Sequence, residues 1–249
     1  MAKQAIVAIG GGKLRLRETE KIDQYIINLT GSRNPRVLFI PTASLDDLSY
    51  VKSFTDVYGG NGCKVDTLYL HRGTCTPQQI DEKIMASDAV YVSGGNTLFL
   101  YNCLCYYHAD AALRSAWERG TVLSGLSAGC IIWHDRGLTD SIHKKFVEMG
   151  GLGLVPRFCT PHYLREPKRV KIFEEIIKTR GFEGIAIDDN CAVVYEGHEI
   201  KDVLSLGEAY GAYIVKQEGK QVTSRPLDKT LLDHKTEPLR SRIKSRLGR

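Results

Sequence analysis

The chain has 249 residues, of which 43% are apolar and 25% are charged, and its formal net charge is +5. This composition is too apolar for a disordered chain and too charged for a membrane protein. The eight basic and three acidic residues from Arg225 onward account for the whole excess, so residues 1–224 are electrically balanced. A basic face for nucleic acid on the body of the protein is therefore not expected.

Neither a spanning helix nor a secretion signal is expected. The chain has no run of about 18 apolar residues, and the apolar stretch Ala5–Ile9 is too short for the core of a signal peptide. The seven cysteines are irregularly spaced, which is typical of reduced thiols in a cytoplasmic protein. Cys103 and Cys105 have no second Cys or His pair at zinc-like spacing, so we expect no metal and no cofactor.

Short apolar segments in the first half of the chain predict strands that are buried on both faces. Their apolar residues are mostly continuous, as in a parallel sheet covered by helices on both sides. The segments are Ala5–Ile9, Arg36–Ile40, Lys64–Leu70, Ala89–Val92 and Thr121–Ser124. Predicted helices lie around and between them, at Glu18–Leu29, Asp47–Tyr58, Pro77–Ala86, Thr97–Tyr107 and Ala109–Arg119. This alternation predicts a doubly wound, mostly parallel α/β fold.

The pattern changes after Gly129. Residues 131–153 are predicted to be loop-rich, and Pro167–Thr179 is predicted to be a helix with a proline in its first turn. Short strands with glycine-containing turns then predict an antiparallel extension. They are Gly184–Ile187, Ala192–Tyr195, Val203–Leu206 and Ala212–Val215. We expect one α/β domain over residues 1–225 and a basic tail over residues 226–249.

The strongest local motif is Gly125-Leu126-Ser127-Ala128-Gly129, a G-x-S-x-G sequence directly after a predicted strand. In a nucleophile elbow, glycines on both sides of a sharp strand-to-helix turn leave room for a serine with a strained backbone. The three fixed positions alone recur by chance in about one chain in ten of this length. The predicted strand before the motif is therefore the main support for a nucleophile elbow. The alternative is a glycine-rich turn with an inert serine.

A second strand, Ala89–Val92, also ends in glycines before a helix. The sequence Gly94-Gly95-Asn96 places backbone N–H groups at the same sheet edge as the serine. Such groups bind phosphate or stabilise a tetrahedral oxyanion. An oxyanion hole would combine the N–H groups of Gly95 and Ala128, whereas helix capping by Asn96 is the simpler alternative.

A third glycine turn, Gly10-Gly11-Gly12-Lys13, follows the first predicted strand. It lacks the spacing of a dinucleotide-binding motif, and Leu14 replaces the Ser or Thr that ends a P-loop. We interpret it as a turn that approaches the site closely.

A nucleophilic serine needs a general base. Of the seven histidines, His162 is the candidate because it follows an apolar segment and precedes a helix. His198 and His234 lie later in the chain, one in a polar turn and one in the basic tail. His134 and His143 fall in the predicted loop region and are expected to be solvated.

A third group must orient the imidazole and stabilise its cation. The candidates are Asp140, which follows the elbow, and Asp188 and Asp189, which end a predicted buried strand. The alternative for all three is turn formation or helix capping, which is common for aspartate.

Together these motifs resemble the serine peptidase family of aspartyl dipeptidase (dipeptidase E) and cyanophycinase. The matching segments follow the family's order over most of residues 1–215, at Ser93–Thr97, Gly125–Gly129, Leu138–Ser141, Gly151–Leu154, Pro161–His162 and Ile187–Asp189. The family is similar in fold to the class I glutamine amidotransferases, with a serine in place of the elbow cysteine. The resemblance implies Ser127 as nucleophile, His162 as base, and Gly95 and Ala128 as the oxyanion hole.

The resemblance leaves the third triad member open between Asp189 and Asp140. We favour Asp189 because a carboxylate at a strand end can lie against the histidine ring. Aspartyl dipeptidases carry an arginine for the substrate's aspartyl carboxylate in a longer segment after the histidine. Here Arg165 or Arg169 can serve that role, since a guanidinium group suits a carboxylate, although a solvated helix start explains them equally. Asn96 is a further candidate for contact with substrate.

The leading hypothesis is a serine peptidase that cleaves peptide or isopeptide bonds of small, in some cases acidic, peptides. The alternative is a catalytically silent binding or scaffold protein on the same fold, because Cys130, Cys159 and Cys191 are unusual neighbours for such a site. Nucleic-acid binding by the basic tail is a weaker hypothesis, and assembly into a homo-oligomer stays open.

Overall fold

A computed structural model describes residues 4–232. Its strands are β1 (Ala5–Ile9), β2 (Arg36–Ile40), β3 (Lys64–Thr67), β4 (Ala89–Val92), β5 (Val122–Leu126), β6 (His134–Ile142), β7 (Lys145–Gly150), β8 (Val155–Pro161), β9 (Gly184–Ile187), β10 (Cys191–Glu196), β11 (Glu199–Ser205), β12 (Ala212–Glu218), β13 (Gln221–Pro226) and β14 (Thr230–Leu231). Its α-helices are α1 (Glu20–Leu29), α2 (Leu48–Gly60), α3 (Pro77–Met85), α4 (Thr97–Tyr106), α5 (Ala109–Glu118), α6 (Ala128–Ile132) and α7 (Pro167–Arg180).

The first sheet has the strand order β14-β11-β10-β1-β5-β4-β2-β3. Strands β1 to β5 form its parallel part, in which every residue of β1, β4 and β5 is buried. Side chains of β1 alternate between two core clusters, since Ile6 packs with residues of α3 to α5 and Val7 with residues of α1 and α2. Helices therefore cover both faces, which explains the continuous apolar runs in the sequence and confirms the doubly wound parallel fold.

Antiparallel strands at the C-terminal end of the chain are confirmed, and they divide between two sheets. Strands β10 and β11 extend the first sheet beside β1. Strands β12 and β13 belong to a second sheet with the order β13-β12-β9-β8-β6-β7, in which β6, β8 and β9 are parallel. Helix α7 packs on this second sheet through Phe173 and Ile177. The second sheet brings the ends of β8 and β9 side by side.

The prediction of a loop-rich segment over residues 131–153 is wrong, because β6 and β7 form an antiparallel hairpin there. The two residues of its turn are His143 and Lys144, and both have positive φ angles, 52° and 53°. A two-residue turn of this kind is usually marked by Asn-Gly or Asp-Gly. The sequence signal for the hairpin is therefore missing, although the geometry is ordinary for two-residue turns.

The predicted boundary at residue 225 falls inside strand β13. The chain continues through β14, which pairs with β11, to Leu232, which is buried against the first sheet. Residues 226–232 thus pack with the domain, and the remainder of the predicted tail lies outside the described residues. Within the described range, no helix has the length and apolar character needed to cross a membrane.

Candidate active site

Ser127 occupies a strained turn between β5 and α6. Its φ of 55° and ψ of −103° are unusual for a non-glycine residue and match the strain expected of a nucleophile elbow. The flanking glycines are required by space: a Cβ on Gly125 would overlap the backbone of Gly129, and a Cβ on Gly129 would overlap the carbonyl of Val92. Both glycines of the G-x-S-x-G sequence are therefore sterically required in this fold.

Ser127, His162 and Asp189 form a continuous hydrogen-bonded chain. Oγ of Ser127 lies 2.6 Å from Nε2 of His162, and Nδ1 of the same ring lies 2.5 Å from Oδ1 of Asp189. His162 follows β8 and Asp189 follows β9, and these parallel strands are paired up to Pro161 and Ile187. Their carboxyl ends coincide, so the second sheet places the histidine and the carboxylate next to one another.

The two neighbouring aspartates have separate roles in the structure. Asp188 is buried, and its carboxylate accepts hydrogen bonds from the N–H groups of Leu164 and Gly211 and from the hydroxyl of Tyr213, which fixes the loop after β9. Burial by itself would raise the pKa of Asp189, but its hydrogen bonds and charge interactions with His162 and Arg165 outweigh this effect and lower that pKa. Asp189 is therefore the ionised partner of the histidine.

The turn after β1 packs directly against this pair. A Cβ on Gly11 would overlap Oδ1 of Asp189 and lie 2.5 Å from Nδ1 of His162. The carbonyl of Gly11 accepts a hydrogen bond from the N–H of Asn190, which ties the turn to the loop that carries Asp189. The close approach expected from the three glycines is found here, and it leaves no room for a side chain.

The glycine-rich turn after β4 lies close to the elbow that carries Ser127. Gly94 and Gly95 line the same cavity as Ser127. Gly95 has a φ of 144°, and a Cβ there would overlap the carbonyl of Ala43, so this position requires glycine. Ala128 is the first residue of α6, whose N–H has no partner within the helix. The structure thus gathers the residues predicted for an oxyanion hole beside the serine.

Two of the predicted substrate contacts, Asn96 and Arg169, do not line this cavity. The side chain of Asn96 caps α4 by accepting a hydrogen bond from the N–H of Phe99 at 2.9 Å. Arg169 is 3% exposed, donates to the carbonyl of Leu138 and lies over the ring of Phe146. The simpler interpretation of Asn96 therefore applies, and Arg169 is packed inside the domain rather than along the cavity.

The two remaining candidates are Arg165, for contact with substrate, and Asp140, for the third triad position. Arg165 places Nη1 2.9 Å from Oδ2 of Asp189, so its guanidinium group is engaged with the carboxylate beside the histidine. Asp140 is exposed on β6, and the Nδ1 atom that it would need on His162 faces Asp189 instead. The structure does not bring Asp140 to the histidine.

Ser127 and His162 open onto a cavity of about 300 Å³. Its walls include Lys13, Arg15 and Asp47, none of which the sequence analysis singled out as substrate contacts. Lys13 ends the glycine turn after β1, and Arg15 lies two residues further on. Their position just after the end of a strand at the active edge is the sequence signal that could have identified them. The carboxylate of Asp47 caps α2 by accepting a hydrogen bond from the N–H of Ser49. The cavity is therefore lined by two basic residues, Lys13 and Arg15, and by one acid whose carboxylate already has a partner.

A buried group of two thiols and an imidazole lies behind the elbow. The donor atoms of Cys130, His134 and Cys159 lie within 4.8 Å of one another, close enough to consider a metal ion. Both ring nitrogens of His134 already have partners, the carbonyl of Cys130 at 2.9 Å and the hydroxyl of Tyr195 at 3.0 Å. His134 is fully buried, so the expectation that it is solvated is wrong, and burial lowers its pKa to about 4. Its two hydrogen bonds account for its position.

A strained serine between strand and helix, hydrogen-bonded to a histidine on an α/β fold, defines the class of serine hydrolases. Comparison with known proteins narrows the class: the chain belongs to peptidase family S51, whose family model matches residues 6–203. It is a peptidase.

Named relatives agree with this assignment. The chain is 30% identical over 224 residues to the uncharacterized peptidase YgaJ of Bacillus subtilis, covering 89% of this chain and 96% of the relative. It is also 30% identical over 144 residues to peptidase E of Nostoc, covering 56% of this chain and 57% of that protein. A crystal structure of a peptidase from an acI-B1 actinobacterium has the same fold, with a TM-score of 0.71 at 18% identity over 89% of this chain and 94% of that one.

Proposed function

We propose that the protein hydrolyses peptide or isopeptide bonds of small peptides through a Ser127–His162–Asp189 triad. The observation that carries the proposal is the unbroken chain of hydrogen bonds from Oγ of Ser127 through the imidazole to Asp189. Each member also stands at a position where the fold restricts its orientation: the elbow, the end of β8 and the end of β9.

In the proposed reaction, His162 removes the proton of Ser127 as Oγ attacks the substrate carbonyl. The N–H groups of Gly95 and Ala128 stabilise the oxyanion of the tetrahedral intermediate. The protonated histidine, held by ionised Asp189, then gives its proton to the leaving amine. Water, activated by the same histidine, hydrolyses the acyl-enzyme and regenerates the serine.

The cavity supports a small substrate with an anionic group. Its volume of about 300 Å³ is at the lower end of the range for small-molecule sites. Lys13 and Arg15 line it, and a lysine or arginine stabilises a carboxylate in a partly enclosed site. We therefore assign these two residues, rather than Asn96 or Arg169, to contact with substrate.

The proposal is tested with the Ser127→Ala variant. Wild-type protein should react with a fluorophosphonate probe and should hydrolyse members of a dipeptide and isopeptide library, with the highest kcat/KM for acidic members. The variant should fold normally and lose both activities, because the attacking oxygen is absent. A silent scaffold protein predicts no labelling of the wild type, and labelling that survives in the variant would place the nucleophile elsewhere.

A further inference from the structure

Arg165 contacts the proposed triad from the side opposite the histidine. The carboxylate of Asp189 has two oxygens with different partners, Nδ1 of His162 at Oδ1 and Nη1 of Arg165 at Oδ2, 2.9 Å away. The Asp189 side chain is 19% exposed, whereas that of Arg165 is 63% exposed. An exposed cation thus covers the outer edge of a largely buried carboxylate.

One hydrogen bond does not fix a carboxylate. The torsion about its terminal bond is broad, so a bond at Oδ1 alone leaves the carboxylate plane free to turn relative to the imidazole. A second bond, at Oδ2, restricts that rotation. Gly11 packs against Oδ1 from the β1 side, so Arg165 and Gly11 together confine the carboxylate.

The backbone before Arg165 is itself held in place. The N–H of Leu164 donates to Oδ1 of Asp188 at 2.9 Å, and Asp188 is buried. The loop after His162 is therefore anchored to the loop after β9 one residue before the arginine. This hydrogen bond fixes the backbone next to Arg165, so that its side chain starts from a defined position close to Asp189.

We propose that Arg165 is a positioning residue of the triad, which acts through Asp189 by fixing the plane of its carboxylate against His162. The inference rests on the proposed function and adds a residue to it. A role for Arg165 in binding the substrate's carboxylate is not expected. The guanidinium group of Arg165 already has an anionic partner, and Arg165 does not line the cavity.

A small fluorophosphonate probe without a carboxylate distinguishes the two roles. A positioning residue changes the activation of Ser127 and therefore the second-order rate of labelling, whereas a residue that only binds a substrate carboxylate leaves that rate unchanged. Arg165→Met should slow labelling about tenfold, since a charge-assisted hydrogen bond to the orienting group is lost. Arg165→Lys should recover part of the rate, because an ammonium group can still donate to Oδ2.

The same substitution in an Asp189→Asn background shows whether the effect passes through Asp189. There, Arg165→Met should change the labelling rate by less than about twofold, as expected for residues that act as one unit. Arg180→Met is the matched control, since Arg180 is also 63% exposed and ion-paired, with Glu148, at the end of α7. It should label at the wild-type rate, and thermal unfolding should confirm that all variants fold.

Equal labelling rates for the wild type and Arg165→Met would contradict the positioning role of Arg165 but not the proposed function. So would a tenfold loss that persists in the Asp189→Asn background, because the arginine would then act by another route. Absence of Ser127-dependent labelling in the wild type would instead contradict the proposed function, and the role of Arg165 with it.

Discussion

Asp189 and Asp140 are distinguished by where their carboxylates point, not by residue type. Asp189 meets Nδ1 of His162 and is held by Arg165 and by the close packing of Gly11. Asp140 is exposed on β6. A carboxylate stabilises a histidine cation only within hydrogen-bond reach, so the two residues should respond very differently to substitution.

Asp189→Asn should lower kcat by about a thousandfold or more, because an amide neither stabilises the imidazolium nor enforces the required tautomer. Asp140→Asn should change kcat less than about twofold. Steady-state kinetics on any peptide cleaved by the wild type measures both variants. The reverse ranking would move the third triad position to Asp140.

At the level of elements, α1 carries a buried acid, Asp23, that forms no ion pair with any of the described residues. Asp23 is fully buried, and its carboxylate accepts hydrogen bonds from the hydroxyls of Thr19 and Tyr58, both at 3.0 Å. Burial raises the pKa of Asp23 to about 7, although these hydrogen bonds lower it in part. The helix therefore packs most stably on the sheet when Asp23 is protonated.

This raised pKa makes stability depend on pH in a defined window. The folded protein keeps the proton of Asp23 up to about pH 7, whereas the unfolded chain releases it near pH 4. The stabilisation is therefore complete below about pH 4 and is lost as pH rises to 7, on the order of 4 kcal/mol in total.

Asp23→Asn should remove this contribution, because the amide keeps an acceptor for Thr19 and Tyr58 but does not titrate. Urea unfolding at pH 5 and pH 8 should show a smaller loss of free energy of unfolding in the variant than in the wild type. Asp46, whose pKa burial also raises, stays in both proteins, so the difference between them isolates Asp23. An identical change in both would contradict the assignment.

At the level of the whole molecule, the domain extends past the boundary predicted from charge. Strand β14 pairs with β11, and Nζ of Lys229 donates to the carbonyls of Glu208 and Tyr210. Leu232 is 8% exposed and packs in the core of the first sheet, whereas its neighbour Leu231 is 38% exposed. The net positive charge of the C-terminal stretch therefore does not mark the end of the fold.

Leu232→Ala in the full chain should lower the free energy of unfolding by about 2–3 kcal/mol, since it removes buried apolar contacts and leaves a cavity. Leu231→Ala is the matched control and should change it by no more than about 0.5 kcal/mol. Chemical denaturation measures both. Equal effects would show that the segment after β13 contributes little to the core.

The sequence by itself determined the first half of the fold and the catalytic candidates. Its predicted strands and helices are found with ends that differ by three residues at most, because apolar runs covered on both faces leave a strong local pattern. Ser127, His162 and Asp189 could be named because glycines and strand ends mark them. The serine peptidase class was implied by the resemblance of the combined motifs to a known family, and it is supported by membership of family S51.

Only the tertiary structure decided how these parts meet. The β6–β7 hairpin has no glycine in its turn, Arg165 faces Asp189 rather than the cavity, and Lys13 and Arg15 line the cavity of Ser127 from a distant segment. Each depends on which strands become neighbours in the two sheets. A local pattern records whether a residue will be buried, but not which residue it will contact, because contacts between distant segments are set by packing.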